Sequence, residues 1–226
     1  MKRSLELLPR AIRYPVHVVH RVHFVHLPLE NRREKRRISF IVVTEERLVH
    51  SYKVKLSFAI ATNADAAALA ELHSAVSEDL TQKYGRGMWS SATTEKGVLN
   101  NLRKPKFSQI VIGRSGRRIV ATLRLATKKP WAIDTAYFTP VERPLYLTGM
   151  AVHPSVQGKG IGGLLLKEAV AVARSWPADA IRLDAFDSEV GAGPFYAKCG
   201  YREVARVKYK GNPLVYFELL LNRDRE

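Results

Sequence analysis

The sequence predicts an α/β fold (α+β by strict class) over residues 51–226, preceded by a segment of a different kind at 1–50. Three observations carry this. Apolar residues recur at helical spacing near 67–80 and 161–176, with runs of strand character around them. A hairpin at 108–125 makes the sheet at least partly antiparallel. A strand at 145–152 passes through a glycine-rich turn straight into a helix. With 226 residues, 46% hydrophobic and 26% charged, the composition is that of a globular chain.

Residues 1–50 contain no glycine but hold five of the seven histidines: His17, His20, His23, His26 and His50. Valines between them favour strand, where a spacing of three alternates faces, and no carboxylate or cysteine is interleaved. The expectation is therefore no metal site, and a weakly ordered extension or one missing from the mature chain. A short strand-like run covers Ile38 to Val43, and a basic run covers Arg32 to Arg37.

From Lys53 to Thr62 the pattern is strand. Asn63 or Asp65 can cap the helix carrying Ala67, Leu69, Leu72, Val76 and Leu80, which Gly85 ends. A second short helix fits Thr94 to Leu102, stopped by Pro105. The hairpin strands follow, Ser108 to Arg114 and Arg117 to Leu125. In the second, Ile119, Ala121, Leu123 and Leu125 are placed on one face. Residues 126–144 read as a loop long enough to suggest a task. After the 145–152 strand, Ile161, Leu165, Ala169, Val172 and Trp176 form one apolar helix face that Pro177 closes.

The turn Gln157-Gly158-Lys159-Gly160-Ile161-Gly162-Gly163 has the chemistry of an anion cradle. A helix N-terminus presents unpaired N–H groups and the positive end of the dipole, and glycines let a phosphate come close. It is not a P-loop, because Gly162 is followed by Gly163 and Leu164 rather than Lys-Ser/Thr. The dinucleotide spacing at Gly158, Gly160 and Gly163 lacks the parallel βαβ context, since an antiparallel hairpin precedes it.

Gln157-x-x-Gly160-x-Gly162, after a strand ending Met-Ala-Val-His-Pro, resembles motif A of the GNAT superfamily of acyl-CoA-dependent N-acyltransferases. Phe195-Tyr196-Ala197-Lys198-Cys199-Gly200-Tyr201 resembles that family's Phe-Tyr-x-x-x-Gly-Phe/Tyr segment, and the likeness covers roughly residues 53–221. The resemblance implies a mixed, mostly antiparallel sheet of six or seven strands flanked by helices. It implies acetyl-CoA as co-substrate, with no metal, and direct transfer to a primary amine in a ternary complex. The acceptor would be a small molecule or a protein amine. On this chain the cofactor-binding residues would be Met150, Ala151 and Val152 on the strand and Gln157, Gly158, Lys159, Gly160, Ile161, Gly162 and Gly163 in the turn. Tyr196 aligns with the general acid. A phenol with an ordinary pKa near ~10 can protonate a departing thiolate. Trp89, Trp131, Asp134 and Tyr137 are the acceptor-side candidates, with aromatic walls and one carboxylate suited to an amine.

Two departures from the family pattern stand out. Residues 145–152 carry no acid where many members place a glutamate, so the base is open; Glu142, Asp134, Asp184 and Asp187 are candidates by position. The stretch 187–193 lacks an asparagine often seen there. His153 is read as turning the chain, and Cys199 as a small buried hydrophobe rather than a nucleophile. The missing acid motivates a rival, a non-catalytic acetyl-CoA sensor. The net charge of +16 motivates another, a nucleic-acid-associated protein. A homodimer through the C-terminal strands follows from the resemblance alone. No stretch spans a membrane, and one cysteine suits a reducing compartment, so the expected location is cytoplasmic.

Overall fold

The computed structural model describes residues 56–189 and 191–221, together with two three-residue strands, His23–Val25 and Phe40–Val42. The chain forms two compact units, 1–53 and 54–226. In the first, the two short strands pair antiparallel, with Phe24 opposite Ile41. The other expectations for residues 1–50, including the remaining histidines and the basic run, lie outside the described residues.

The second unit holds one seven-stranded sheet. Its strands are β1 (Leu56–Ile60), β2 (Ser108–Ser115), β3 (Arg118–Ala126), β4 (Pro144–Val152), β5 (Ala180–Phe186), β6 (Arg202–Tyr209) and β7 (Asn212–Leu220). The order across the sheet is β1-β2-β3-β4-β5-β7-β6, and only β4 and β5 run parallel. This is the mixed, mostly antiparallel sheet the resemblance implies. Helix α1 covers Ala66–Tyr84, α2 Glu95–Leu102, α3 Ile161–Ser175 and α4 Gly193–Lys198.

The helices cover both faces. On one, Ala121, Leu123 and Leu125 of β3 pack with Ile161, Leu165 and Ala169 of α3 and Tyr196 of α4. On the other, Ile110 and Ile112 of β2 pack with Leu69 and Leu72 of α1 and Val98 of α2. Neighbouring strand residues thus serve opposite layers, as a pleat requires. Ile119 departs from its expected face: it packs with Ile110 and Ile112 rather than with Leu123. The register explains it. Gly113 faces Ala121 and Arg114 faces Ile119, so Val120 is an extra residue on β3 and the strand flips there.

Residues 127–143 are held down rather than free. Buried Glu218 of β7 pairs with Arg182 at 3.1 Å and with Arg202 at 3.1 Å, and Arg182 also donates to the Thr139 carbonyl. Phe138 stacks on Tyr216 at 5.4 Å, and the Tyr216 hydroxyl donates to the Ala132 carbonyl.

Candidate active site

The site grows out of a defect in β4. Pro144, Leu145 and Tyr146 pair in parallel with Ala180, Ile181 and Arg182, and the two strands then part. On its other edge, Thr148 faces Arg124 and Ala151 faces Thr122, so β4 carries one extra residue in between. Gly149 absorbs it with φ of +58°, a conformation a side chain resists. The β5-facing edge of β4 beyond Tyr146 therefore has no strand partner, and its backbone groups can pair with an extended ligand. Met150 and Val152 are half-buried there and Ala151 is buried. Gln157 already uses one of these groups: its side-chain amide donates to the Val152 carbonyl at 2.9 Å.

Beyond β4 the chain turns at His153. Its Nδ1 lies 2.9 Å from Ser155 Oγ, and its Nε2 lies 2.6 Å from an Arg118 nitrogen. Guanidinium only donates, so Nε2 accepts from Arg118, while Nδ1 accepts from the Ser155 backbone N–H at 3.2 Å. Burial and the Arg118 charge hold the His153 pKa below the usual value. His153 thus fastens the turn in neutral form. Gly158 and Gly160 follow with φ of +74° and +76°, both facing open space. Gly160 is the N-cap of α3, and the first intrahelical bond is Leu164 N–H to Gly160 O. The N–H groups of Ile161, Gly162 and Gly163 thus precede any i→i−4 partner. Lys159 is exposed beside them. Gly162 serves packing: a Cβ there would meet the Phe195 ring at 3.0 Å and Met150 at 3.4 Å. A cradle with open glycines and free helix N–H groups fits the pyrophosphate of coenzyme A.

Tyr196 reaches the same place from α4. It is 6% exposed, and its hydroxyl donates to Met150 Sδ at 3.5 Å. Burial, with the charges of Asp184 and Cys199 nearby, pushes the phenol pKa well above its usual range. The phenol is a proton donor at every ordinary pH. Cys199 is half-buried with its thiol pKa also raised by burial, which leaves it unreactive near neutrality.

On the α1–α2 face of the sheet a cavity of about 370 Å³ opens against β4. Its lining includes His73 of α1, Asn101 of α2, Thr122 and Arg124 of β3, and Thr148 and Gly149 of β4. His73 Cε1 lies 3.8 Å from where a Cβ on Gly149 would stand, so the ring abuts the bulge. Burial lowers the His73 pKa, which keeps the ring neutral near pH 7. Sequence reasoning did not single out His73 or Arg124. Both sit in otherwise ordinary helix and strand patterns, and only the fold aims them at β4.

The acceptor-side candidates lie elsewhere. Trp89 packs edge-on against Tyr84 and Phe186, at 6.5 and 6.1 Å. Tyr137 meets Tyr216 at 6.0 Å, Asp134 accepts from Ala136 N–H at 3.0 Å, and Trp131 is 84% exposed. None of the four lines the cavity. Of the acids considered as base, Asp187 is paired with Arg206 at 2.8 Å and Asp184 lies half-buried on β5. No carboxylate lines the cavity either. Among the described residues no cluster of His, Cys, Asp and Glu could hold a metal, and no helix is long and apolar enough to cross a membrane.

The model of the acetyltransferase (GNAT) family matches residues 69–201, which contain the turn, the bulged strand and Tyr196. The chain belongs to that family. Solved structures share the fold. The acetyltransferase of GNAT family from Streptococcus pneumoniae is 19% identical with a TM-score of 0.57, over 74% of this chain and 100% of that one. yncA from Salmonella typhimurium, solved with its cofactor acetyl-CoA, is 16% identical with a TM-score of 0.55, over 76% and 96%. The paia N-acetyltransferase from Thermoplasma acidophilum, in complex with coenzyme A, is 15% identical with a TM-score of 0.52, over 71% and 97%. No curated protein sequence matches the chain.

Proposed function

We propose that the protein transfers the acetyl group of acetyl-CoA to a primary amine by direct attack in a ternary complex. One observation carries the reading: β4 parts from β5 beyond Tyr146 and bulges at Gly149 with the glycine turn at its end, Tyr196 reaching Met150 from one face and His73 abutting the bulge from the other. The turn 157–163 holds the pyrophosphate, and the free edge of Met150–Val152 pairs with the pantetheine arm. The amine enters the cavity. His73, neutral and with no side-chain hydrogen-bond partner among the described residues, accepts a proton from the attacking nitrogen, filling the role of the absent strand glutamate. The C–N bond forms, the C–S bond breaks, and the Tyr196 hydroxyl supplies the proton that the departing thiolate takes.

The test is thermal unfolding of the full chain with and without acetyl-CoA, followed by thiol release with an amine panel. A ligand at 100 times its dissociation constant adds about 2.7 kcal/mol to the native state. A folded protein whose melting does not move at millimolar acetyl-CoA overturns the reading.

A further inference from the structure

We propose that the cavity takes an acceptor bearing a carboxylate as well as the amine, a small amino acid in chemical class, and that Arg124 binds the carboxylate. This rests on the acetyl-transfer reading above and names the substrate class of that site.

Several arginines of this fold are paired with carboxylates. Arg114 meets Asp65, fully buried Arg182 meets Glu218, and Arg206 and Arg143 meet Asp187 and Asp179. Arg124 is different. It is half-buried, yet its Nε donates to Thr148 Oγ1 at 3.0 Å and one terminal nitrogen to Asn101 Oδ1 at 2.8 Å, both neutral oxygens. Among the described residues none of the ion pairs includes it, and no carboxylate lines the cavity into which it faces. A guanidinium does not shed its proton in a protein, so a positive charge sits in a partly desolvated cavity without a counter-charge. Burial without a partner accordingly holds its pKa below the usual value.

Its geometry is set for recognition. Two neutral contacts fix the plane of the fork, one to β4 and one to α2, and leave its second terminal nitrogen without an acceptor among the described residues. A fixed fork matches a carboxylate better than a mobile ammonium does. His73 shares the cavity and is neutral, so it neither attracts the carboxylate nor repels an ammonium that must lose its proton there. A volume of about 370 Å³ admits an amino acid beside the bulge.

The experiment uses the full chain with saturating acetyl-CoA. Thiol release is measured with the L-amino acids and with their carboxamides, which keep the amine and lose the charge. The best amino acid is expected to exceed its amide by about 100-fold in kcat/KM, a typical value for truncating a desolvated charge pair. Arg124→Gln should raise KM for the acid, with a smaller change in kcat, and narrow the gap between acid and amide. Arg124→Lys should restore part of it. Thr148→Val, which frees Nε without removing the charge, provides a milder change in the same direction if Arg124→Gln does not fold. Equal rates with acid and amide overturn the inference, as does an Arg124→Gln defect of equal size for both. So does a panel in which acetyl-CoA raises the melting temperature but no amino acid reacts; there the donor reading survives. Failure of acetyl-CoA to shift the melting temperature takes down both.

Discussion

The glycine turn at 157–163 and the cavity under α1 and α2 flank the same strand and are built from different materials. The turn offers backbone. Gly158 and Gly160 hold φ values of +74° and +76° over open space, and the N–H groups of the first α3 turn precede the first intrahelical bond, Leu164 N–H to Gly160 O. The cavity offers side chains drawn from α1, α2, β3 and β4. A phosphate-binding backbone needs a contiguous motif, because neighbouring residues must adopt the special dihedrals together. A side-chain pocket needs only that the fold bring scattered residues near one another. One chain can thus keep a common donor site while its acceptor site is free to differ.

The largest effect expected is on the backbone side. Gly160→Glu places a carboxylate and a Cβ where φ is +76°, at the positive end of α3 where the proposed function seats the pyrophosphate. Acetyl-CoA should no longer raise the melting temperature, while the variant remains folded because nothing lies within 4 Å of the new Cβ. Retained stabilisation would mean that the turn is only a connection.

Tyr196→Phe comes next. Its hydroxyl makes one contact, 3.5 Å to a thioether, so the core should barely notice the loss. Turnover should fall about 100-fold, as for loss of a general acid, with the acetyl-CoA-induced shift in melting unchanged. An equal loss of stability and rate would make Tyr196 a packing residue.

How much of this was legible follows the same division. Gln157, Gly160 and Gly162 with Phe195 and Tyr196 pointed to the turn and the α4 phenol because both lie in short contiguous motifs. The mixed, mostly antiparallel sheet of six or seven strands followed from that resemblance, whereas the order of its strands came from the fold. The bulge at Gly149 was not readable, since one glycine inside an apolar strand carries no register. Ile119 was misplaced for the same reason, as an extra residue at Val120 reverses the pleat. The aromatics at 131–138 drew attention through composition, whereas two of them, Tyr137 and Phe138, pack on Tyr216. His73 and Arg124 were hidden because their meaning lies in what they face.

His73→Gln probes the side-chain half. The rate should fall about tenfold or more, and the pH profile should change shape. Burial lowers the folded pKa below the ordinary 6.5, so the wild-type rate should be level above that value and drop at lower pH as the ring takes its proton. The unfolded chain binds that proton first as pH falls, so stability is also full above 6.5 and erodes below it, down to the folded pKa. The variant should lose the acid limb of the rate and the His73 part of the stability loss, leaving the part that His153 contributes. An unchanged acid limb in kcat/KM assigns the base elsewhere.

The smallest effect joins the two halves. Gly149→Ala forces a side chain into φ of +58°, at a cost of about 1 kcal/mol, and points a methyl at His73 Cε1 3.8 Å away, an ordinary contact that needs no repacking. The melting temperature should drop by only a few degrees. The informative readout is how activity divides. If the bulge does no more than free the β4 edge, acetyl-CoA binding weakens and the acid limb stays where it was. If it also sets the distance from His73 to the reacting carbon, kcat falls further than the melting shift explains, with acetyl-CoA binding nearly intact. The second outcome is expected, because the methyl meets the imidazole while the splay between β4 and β5 begins earlier, at Tyr146.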